Sequence, residues 1–215
     1  MKTLSREMRD ALTPHMAIDV LRRGNERFVN NLKANRNLLQ QVNETSEGQH
    51  PFAIVLSCID SRTSAELIFD QGLGDIFSCR VAGNVLNEDI LGSMEFACKV
   101  AGAKAIVVLG HTRCGAVRGA CDGVEMGNLT SVLQKIQPAI AEETVTVQNR
   151  TSSNPEFVER VASLNVKRVK RQIIGRSPIL GSMLEHSEIA LLGGMYDVES
   201  GAVDFYDSLM VMGAR

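Results

Sequence analysis

The sequence predicts an α/β fold, a single domain with a mainly parallel central β-sheet flanked by helices. Three short apolar runs, PFAIVLSC, DIFSCRVA and KAIVVLG, have the continuous character of strands that are covered on both faces. Segments with apolar residues at helical spacing lie between and after these runs. Strands that alternate with helices form parallel sheets in which helices cover both faces.

The N-terminal 50 residues predict a helix followed by an arm. Thr13-Pro14 marks a helix start, because proline is tolerated in the first turn. Apolar residues then recur at roughly helical spacing: Ile18, Leu21, Phe28 and Leu32. Residues 33–50 are polar, rich in Asn and Gln, and are expected to form an extended arm or loop. We therefore divide the single domain 1–215 into a helix and arm over 1–50 and an α/β core over 51–215.

The remaining elements continue the alternation. Helices are expected in NEDILGSMEFACKVAG, ending near Gly102, after Cys114, over 128–140, in PEFVERVASLNVKRVKRQII and near 178–186. Ser177-Pro178 is expected to cap the last of these helices. The stretches EIALLGGMYDV and AVDFYD suggest a pair of strands near the C-terminus.

Composition and charge exclude several classes of protein. The 215 residues are 44% hydrophobic and 22% charged, which is ordinary for one globular domain. The net charge of −2 gives no reason to expect nucleic acid or anionic lipid as a partner, and the basic run at 166–171 is expected to be a solvated helix face. No apolar run approaches the ~20 residues of a membrane span, and the charged N-terminus lacks a secretory signal. The five cysteines, an odd number, favour reduced thiols and a cytoplasmic location.

Two of the predicted strands end in chemically reactive side chains. Cys58, Asp60 and Arg62 follow the first strand, and their alternation sends all three to the same side of an extended segment. His111 and Cys114 follow the third strand. The carboxyl ends of parallel strands form the ligand-binding edge of such a sheet. Two thiolates and an imidazole suit zinc, and three protein ligands leave open the fourth tetrahedral position that is typical of a catalytic site.

Each motif alone is weak evidence, because a cysteine after a buried strand is more often a small core residue than a ligand. Their joint occurrence at the ends of two apolar strands favours the metal site. The other three cysteines, Cys79, Cys98 and Cys121, are interpreted as structural thiols.

The combination of C-x-D-x-R and H-x-x-C at this separation resembles the β-class carbonic anhydrases. The stretches GNERF, DQGLGDIF, RVAGN and GHTRCGAV are also similar to that family, and the resemblance extends from about residue 17 to about residue 206. It implies a zinc enzyme with one Zn²⁺ per chain that reversibly hydrates carbon dioxide to bicarbonate and a proton by zinc-bound hydroxide.

The resemblance also implies roles for individual residues. Asp60 would orient the zinc-bound water, and Arg62 would hold Asp60 ionised and away from the metal. Five positions match the substrate pocket of the family: Gln49, Phe77, Ala82, Phe96 and Gly115. The glutamine and the aromatic wall generally come from a neighbouring subunit, which implies a homodimer or homotetramer in which the N-terminal arm packs on a partner.

Two other functions stay open at this point. A non-catalytic zinc or thiol redox sensor could use the same fold, although such a protein has no need of Asp60, Arg62 and Gln49. A hydrolase of a CO₂-like substrate such as carbon disulfide is not excluded by the sequence. A phosphate-binding loop at VLGHTRCG is disfavoured, because the glycine pattern and the Lys-Ser/Thr pair of such loops are missing.

Overall fold

A computed structural model describes residues 3–206 and confirms the α/β domain with a mostly parallel sheet. Its five strands are β1 (Ala53–Ser57), β2 (Ile76–Arg80), β3 (Ala105–His111), β4 (Ala190–Tyr196) and β5 (Val203–Phe205). They lie in the order β2-β1-β3-β4-β5, and only β5 is antiparallel to its neighbour. Residues 207–215, which end the predicted core 51–215, and residues 1–2 lie outside the described residues.

The described residues also form ten α-helices, none of which is long and apolar enough to cross a membrane. They are α1 (Arg6–Asp10), α2 (Pro14–Val29), α3 (Leu38–Glu44), α4 (Ala65–Ile68), α5 (Glu88–Glu95), α6 (Gly115–Cys121), α7 (Gly127–Gln134), α8 (Gln137–Glu142), α9 (Pro155–Arg176) and α10 (Pro178–Glu185). Thr13 and Ser177 cap α2 and α10 through their hydroxyl oxygens, each just before a proline, as the sequence predicts.

The central strands are continuous apolar runs because both faces of the sheet are covered. Ile54 and Leu56 of β1 point into a layer formed with α5, α9 and α10, whereas Ala53 and Val55 point into the opposite layer with α2 and α4. A third cluster lies beyond the carboxyl ends of β1 and β3 and contains Cys58 together with parts of α6, α8 and α9. The candidate site is therefore built on rigid, buried elements.

One helical prediction needs correction, and another is confirmed except for the form of its last turn. The helix expected over 128–140 is divided into α7 and α8, and Pro138 lies in the first turn of the second. Proline has no N–H to donate to the preceding turn, so it starts a new helix instead of continuing the old one. The helix expected to end near Gly102 is α-helical only to Glu95 and then widens into a π-helical turn over Phe96–Val100.

The polar segment 33–50 is not wholly extended, because it contains α3. The Asn37 side chain accepts a hydrogen bond from the Gln40 amide at 3.1 Å and so caps this helix. Gln41 is buried, and its Oε1 accepts a hydrogen bond from the Leu73 amide at 3.2 Å. These polar contacts order a segment that has too few apolar residues to predict a helix.

Candidate metal centre

The three predicted ligands converge at the carboxyl edge of the sheet. Strands β1 and β3 are parallel neighbours, with Leu56 opposite Val108, so the residues that follow them emerge side by side. Cys58 follows β1, His111 ends β3, and Cys114 is the N-cap of α6. Their ligand atoms all lie within 4.8 Å of one another, and all three residues are buried.

The histidine is prepared for metal binding. His111 Nδ1 lies 2.9 Å from the carbonyl oxygen of Thr112, so Nδ1 carries the proton and donates it. His111 Nε2 is buried and has no hydrogen-bond partner among the described residues. A buried polar atom without a partner is costly, unless its lone pair binds a cation. Metal-binding histidines characteristically donate the N–H of their second ring nitrogen to a carbonyl or carboxylate oxygen, as His111 does here. The imidazole and the two sulfurs are therefore a ligand set that fits zinc.

The two thiols behave as a pair. The hydrogen bond with Cys114 lowers the pKa of Cys58 to about 4, against the opposing effect of burial, and His111 lowers it further. The same hydrogen bond, together with burial, raises the pKa of the Cys114 thiol. One proton is thus shared between the sulfurs, and a divalent cation bound by both would displace it, because cysteine binds metals as the thiolate.

Backbone amides stabilise negative charge on both sulfurs. The Gly83 amide donates to Cys58 Sγ at 3.3 Å. Gly83 has a φ of +67°, and a Cβ at this position would lie 2.7 Å from Ile136 Cδ1, so the turn needs glycine for both its conformation and its space. The amides of Val117 and Ala116, in the first turn of α6, favour the thiolate of Cys114.

Asp60 and Arg62 form the two-pronged ion pair that the sequence predicts. Arg62 Nε and Nη2 donate to Asp60 Oδ1 and Oδ2, each at 2.9 Å, and the Arg62 backbone amide donates to Oδ1 at 3.0 Å. These hydrogen bonds hold the pKa of Asp60 well below its usual range. The carboxylate is therefore ionised at neutral pH, with both of its oxygens engaged by Arg62.

The loop that carries Cys58 and Asp60 is fixed by two further side chains. Thr63 Oγ1 donates to the carbonyl oxygen of Cys58 at 3.0 Å. Arg80 donates through Nε to the same oxygen at 3.0 Å and through Nη2 to the Asp60 carbonyl oxygen at 2.6 Å. These contacts hold the backbone on either side of Ile59, so the spacing between the ligand and the carboxylate is set by the fold.

The predicted substrate residues lie in two different environments. Ala82 begins the 3₁₀ turn over Ala82–Asn84 that contains Gly83, and Gly115 is the exposed first residue of α6. Ala82 is therefore adjacent to Gly83, whose amide donates a hydrogen bond to Cys58 Sγ, and Gly115 is adjacent to the candidate ligand Cys114. For Gly115, a Cβ would meet no atom of residues 3–206 within 4 Å, so packing within the described part of the chain does not require glycine there.

Phe77, Phe96 and Gln49 line two grooves that none of the three metal ligands lines. The rings of Phe77 and Phe96 pack edge to face at 6.2 Å and line a groove of about 610 Å³, and the Phe96 residue is 54% exposed. Gln49 is exposed and lines a second groove, of about 600 Å³, together with Leu73.

Sequence reasoning missed the roles of Gly83, Thr63 and Arg80. Arg80 and Gly83 belong to the stretch RVAGN, in which the family resemblance implies a role for Ala82 alone. Glycine followed by asparagine, two residue types that tolerate positive φ, was a usable signal for the turn. Nothing in the sequence indicates that the turn faces the Cys58 sulfur.

The remaining cysteines have the character of structural thiols. Cys79, Cys98 and Cys121 are free, as are the two candidate ligands. Burial raises the pKa of each, to about 12 for Cys98 and to about 11 for Cys121. Thiols that stay protonated at neutral pH are poor nucleophiles, and none of these three belongs to the metal-binding cluster found among the described residues.

Comparison with known proteins identifies relatives along most of the chain. A family model described as carbonic anhydrase matches residues 53–203. Carbonic anhydrase 2 of Mycobacterium tuberculosis is 33% identical over 204 residues, covering 91% of this chain and 94% of that protein. A carbonic anhydrase of Mycolicibacterium smegmatis is 32% identical, covering 91% of this chain and 95% of its own length.

Solved structures give the same result. The β-carbonic anhydrase CafA of Aspergillus fumigatus superimposes with a TM-score of 0.70 at 30% sequence identity, covering 79% of this chain and 81% of that one. A structure from a study of two tetrameric β-carbonic anhydrases of Sordaria macrospora superimposes with a TM-score of 0.67 at 26% identity, covering 74% and 82% of the two chains.

Proposed function

The chain belongs to the β-class carbonic anhydrases, zinc enzymes that reversibly hydrate carbon dioxide to bicarbonate and a proton, and we propose that Cys58, His111 and Cys114 hold its zinc ion. The observation that carries this assignment is the convergence of three buried ligand atoms, one of which is an imidazole nitrogen without another partner. A zinc ion bound there would supply a Lewis acid that generates a nucleophile from water at neutral pH.

Asp60 orients the attacking water in this proposal. Its carboxylate follows Cys58 by two residues and is kept ionised by Arg62, so it can accept a hydrogen bond and cannot donate one. Arg62 has a second role, since a carboxylate engaged by a guanidinium must give up these hydrogen bonds before it can bind the metal. The pair would thus keep the acid close to the candidate metal ligands without itself binding the metal.

The substrate pocket is composed from two chains. Ala82 and Gly115 contribute from the chain that holds the metal, and Gln49, Phe77 and Phe96 contribute from a partner. The grooves that the latter three line support this division, because none of the three metal ligands lines either groove. An apolar aromatic wall suits CO₂, which is uncharged and needs only to be placed beside the nucleophile.

Assembly into a homodimer or homotetramer follows from the composite pocket. Strand β2, which carries Phe77, lies at the edge of the described sheet, and Phe96 presents an exposed aromatic ring beside it. The outer face of α3 exposes Leu38, Leu39 and Val42, which supports the packing of the segment 1–50 on a partner. We place the enzyme in the cytoplasm, because a metal site with two thiolates needs reduced cysteines. No observation favours a redox sensor over the enzyme.

Zinc analysis and stopped-flow CO₂ hydration with a pH indicator test the assignment together. The wild-type protein should contain one zinc per chain and hydrate CO₂, and Cys114→Ser should lose most of both. Cys121→Ser is the matched control, because this half-buried thiol lies on the same helix, outside the cluster, and should keep both properties. A zinc-free wild type, or a Cys114→Ser variant that keeps full zinc and activity, would contradict the assignment.

A further inference from the structure

Helix α9 contacts the metal-binding segments through two polar side chains. Asn165 Nδ2 donates to the carbonyl oxygen of Gly83 at 2.9 Å. Glu159 Oε1 accepts a hydrogen bond from the backbone amide of Arg113 at 2.8 Å. Neither Asn165 nor Glu159 belongs to the two sequence motifs of the site.

Asn165 is unusual for its position. It is 2% exposed and lies among the buried residues of α9, next to Val166 and one turn from Val161 and Val169. A carboxamide buried in such an environment costs free energy unless it is hydrogen-bonded. The Gly83 carbonyl supplies that hydrogen bond across 82 positions of sequence.

The turn that Asn165 holds is conformationally demanding. Gly83 and Asn84 both have positive φ, of +67° and +42° respectively, a left-handed conformation that asparagine adopts more readily than most residues but at a cost that surrounding contacts offset. Gly83 also donates its amide to Cys58 Sγ. A hydrogen bond on the carbonyl of Gly83 therefore fixes the residue whose amide faces the ligand sulfur.

Glu159 holds the other metal-binding segment in the same way. Arg113 lies between His111 and Cys114 and has a φ of +57°. Its amide points to Glu159, so α9 fixes the path of the chain between two ligands. The preceding residue, Thr112, is held from the β4–β5 side, where its hydroxyl bonds with Asp197 at 3.2 Å.

Helix α9 is a rigid support for these contacts because it lies directly on the sheet. A Cβ at Gly110, the residue before His111, would lie 2.7 Å from Val166 Cγ2. A Cβ at Gly193 of β4 would also lie 2.7 Å from a methyl group of Val166. The helix therefore approaches β3 and β4 as closely as glycine permits, beside the strand end that supplies His111.

We propose that Asn165 and Glu159 are positioning residues of the metal centre, Asn165 for the Gly83–Cys58 hydrogen bond and Glu159 for the His111–Cys114 turn. The inference rests on the proposed function, since it assigns these residues to the same zinc site. Outer contacts of this kind typically change metal affinity by 10–100-fold. Loss of either contact should therefore speed zinc release by about 10–100-fold.

Zinc release to a chromophoric chelator measures the effect without activity. Asn165→Leu is similar in size but has no donor, so it should release zinc about 10–100-fold faster than wild type. The matched control is Ser163→Ala, which removes a hydrogen bond of the same helix, the one from the Tyr206 hydroxyl at 2.7 Å, away from the metal-binding segments. Equal release rates for Asn165→Leu and wild type, or equal acceleration in Ser163→Ala, would overturn the assignment of Asn165.

Glu159 allows a comparison of charge with hydrogen bonding. Glu159→Gln keeps the Oε1 acceptor and should keep wild-type release, whereas Glu159→Leu removes the acceptor and should accelerate release. If both variants accelerate release equally, the carboxylate acts by charge and the positioning role of Glu159 is wrong. Circular dichroism of each variant confirms that the helices are retained.

A wild-type measurement keeps the proposal testable if Asn165→Leu does not fold. In protein loaded with an NMR-active cadmium isotope, the hydrogen bond to a ligand sulfur should transmit a scalar coupling from the Gly83 amide proton to the metal. No coupling at Gly83, in protein that binds cadmium through Cys58, would overturn the link between the turn and the ligand. Failure of the proposed function would look different, because the wild type itself would then bind no zinc.

Discussion

Replacing Asp60 by Asn separates the chemistry of the site from its metal binding. The amide has the size of the carboxylate but carries no charge, and one of its two oxygen acceptors becomes an NH₂ donor. Asp60 is not among the three clustered ligands, so zinc content should be unchanged. The attacking water loses the fixed acceptor that orients it, so CO₂ hydration should fall strongly.

The structure sets the size of both effects. Asp60 accepts three hydrogen bonds from Arg62, and the amide loses at least the one from Nη2 to Oδ2 at 2.9 Å. The Arg62 side chain is 49% exposed, and exposed ion pairs contribute about 0–1 kcal/mol, so the free energy of unfolding should fall by less than about 1 kcal/mol. A positioned proton acceptor contributes about 10²–10⁴-fold to rate, or about 3–5 kcal/mol of barrier. The loss of rate should exceed the loss of stability.

Three measurements on the same preparation decide the outcome: zinc per chain, the urea unfolding midpoint and stopped-flow kcat/KM. Glu199→Gln is a matched control, because Glu199 forms an exposed ion pair with Arg113, between two ligands, and has no proposed role with substrate. It should keep wild-type kcat/KM. Asp60→Asn with full zinc and kcat/KM within tenfold of wild type would refute the role of Asp60, and a similar loss in Glu199→Gln would show that any nearby charge matters.

Three further perturbations have defined outcomes. Arg62→Ala should lower the urea midpoint most above about pH 4 and progressively less below it, because the depressed pKa of Asp60 stabilises the fold fully above the ordinary carboxyl pKa of ~3.9 and ceases to do so as the pH falls through the lower folded-state pKa. A loss that does not shrink as the pH falls would contradict the ion pair. Removing zinc with a chelator should lower the Tm measured by scanning calorimetry, and adding zinc should restore it, because the metal binds only the folded site. A Tm that does not change on zinc removal would contradict this prediction. Phe96→Asp should yield 23.4 kDa monomers by light scattering and little CO₂ hydration, and a fully active monomer would exclude the composite pocket.

The sequence predicted the parts of the molecule whose signal is local. The three apolar runs became β1, β2 and β3, because a strand covered on both faces needs apolar residues at every position. The sequence also predicted that Cys58 and His111 lie at one edge of the sheet, and the parallel pairing of β1 with β3 brings them together. Thr13 and Ser177 were predictable as helix starts, because an N-cap side chain bonds to a backbone amide only three residues further along the chain.

The elements that were missed depend on contacts between distant residues. Helix α3 is ordered by Gln41 against Leu73, and no apolar periodicity announces it. The division of the helix expected over 128–140 was readable in principle, because Pro138 lies inside that range. The π-helical turn after α5 left no signal that we can identify in the residues themselves.

The metal centre shows the same separation between local and distant information. Cys58 and Asp60 are two positions apart, as are Asp60 and its partner Arg62, so a short motif carries the ligand, the acid and the guanidinium. Arg80 of β2 holds this loop through the Cys58 carbonyl oxygen, and Asn165 of α9 holds the Gly83 turn beside it, also through a backbone carbonyl oxygen. Any residue type can supply a backbone carbonyl oxygen as a hydrogen-bond acceptor. The residues that accept from Arg80 and Asn165 therefore give no sequence signal of these contacts. Only the three-dimensional structure shows that α9, which is distant in sequence, bonds to the backbone beside both ligand-bearing segments.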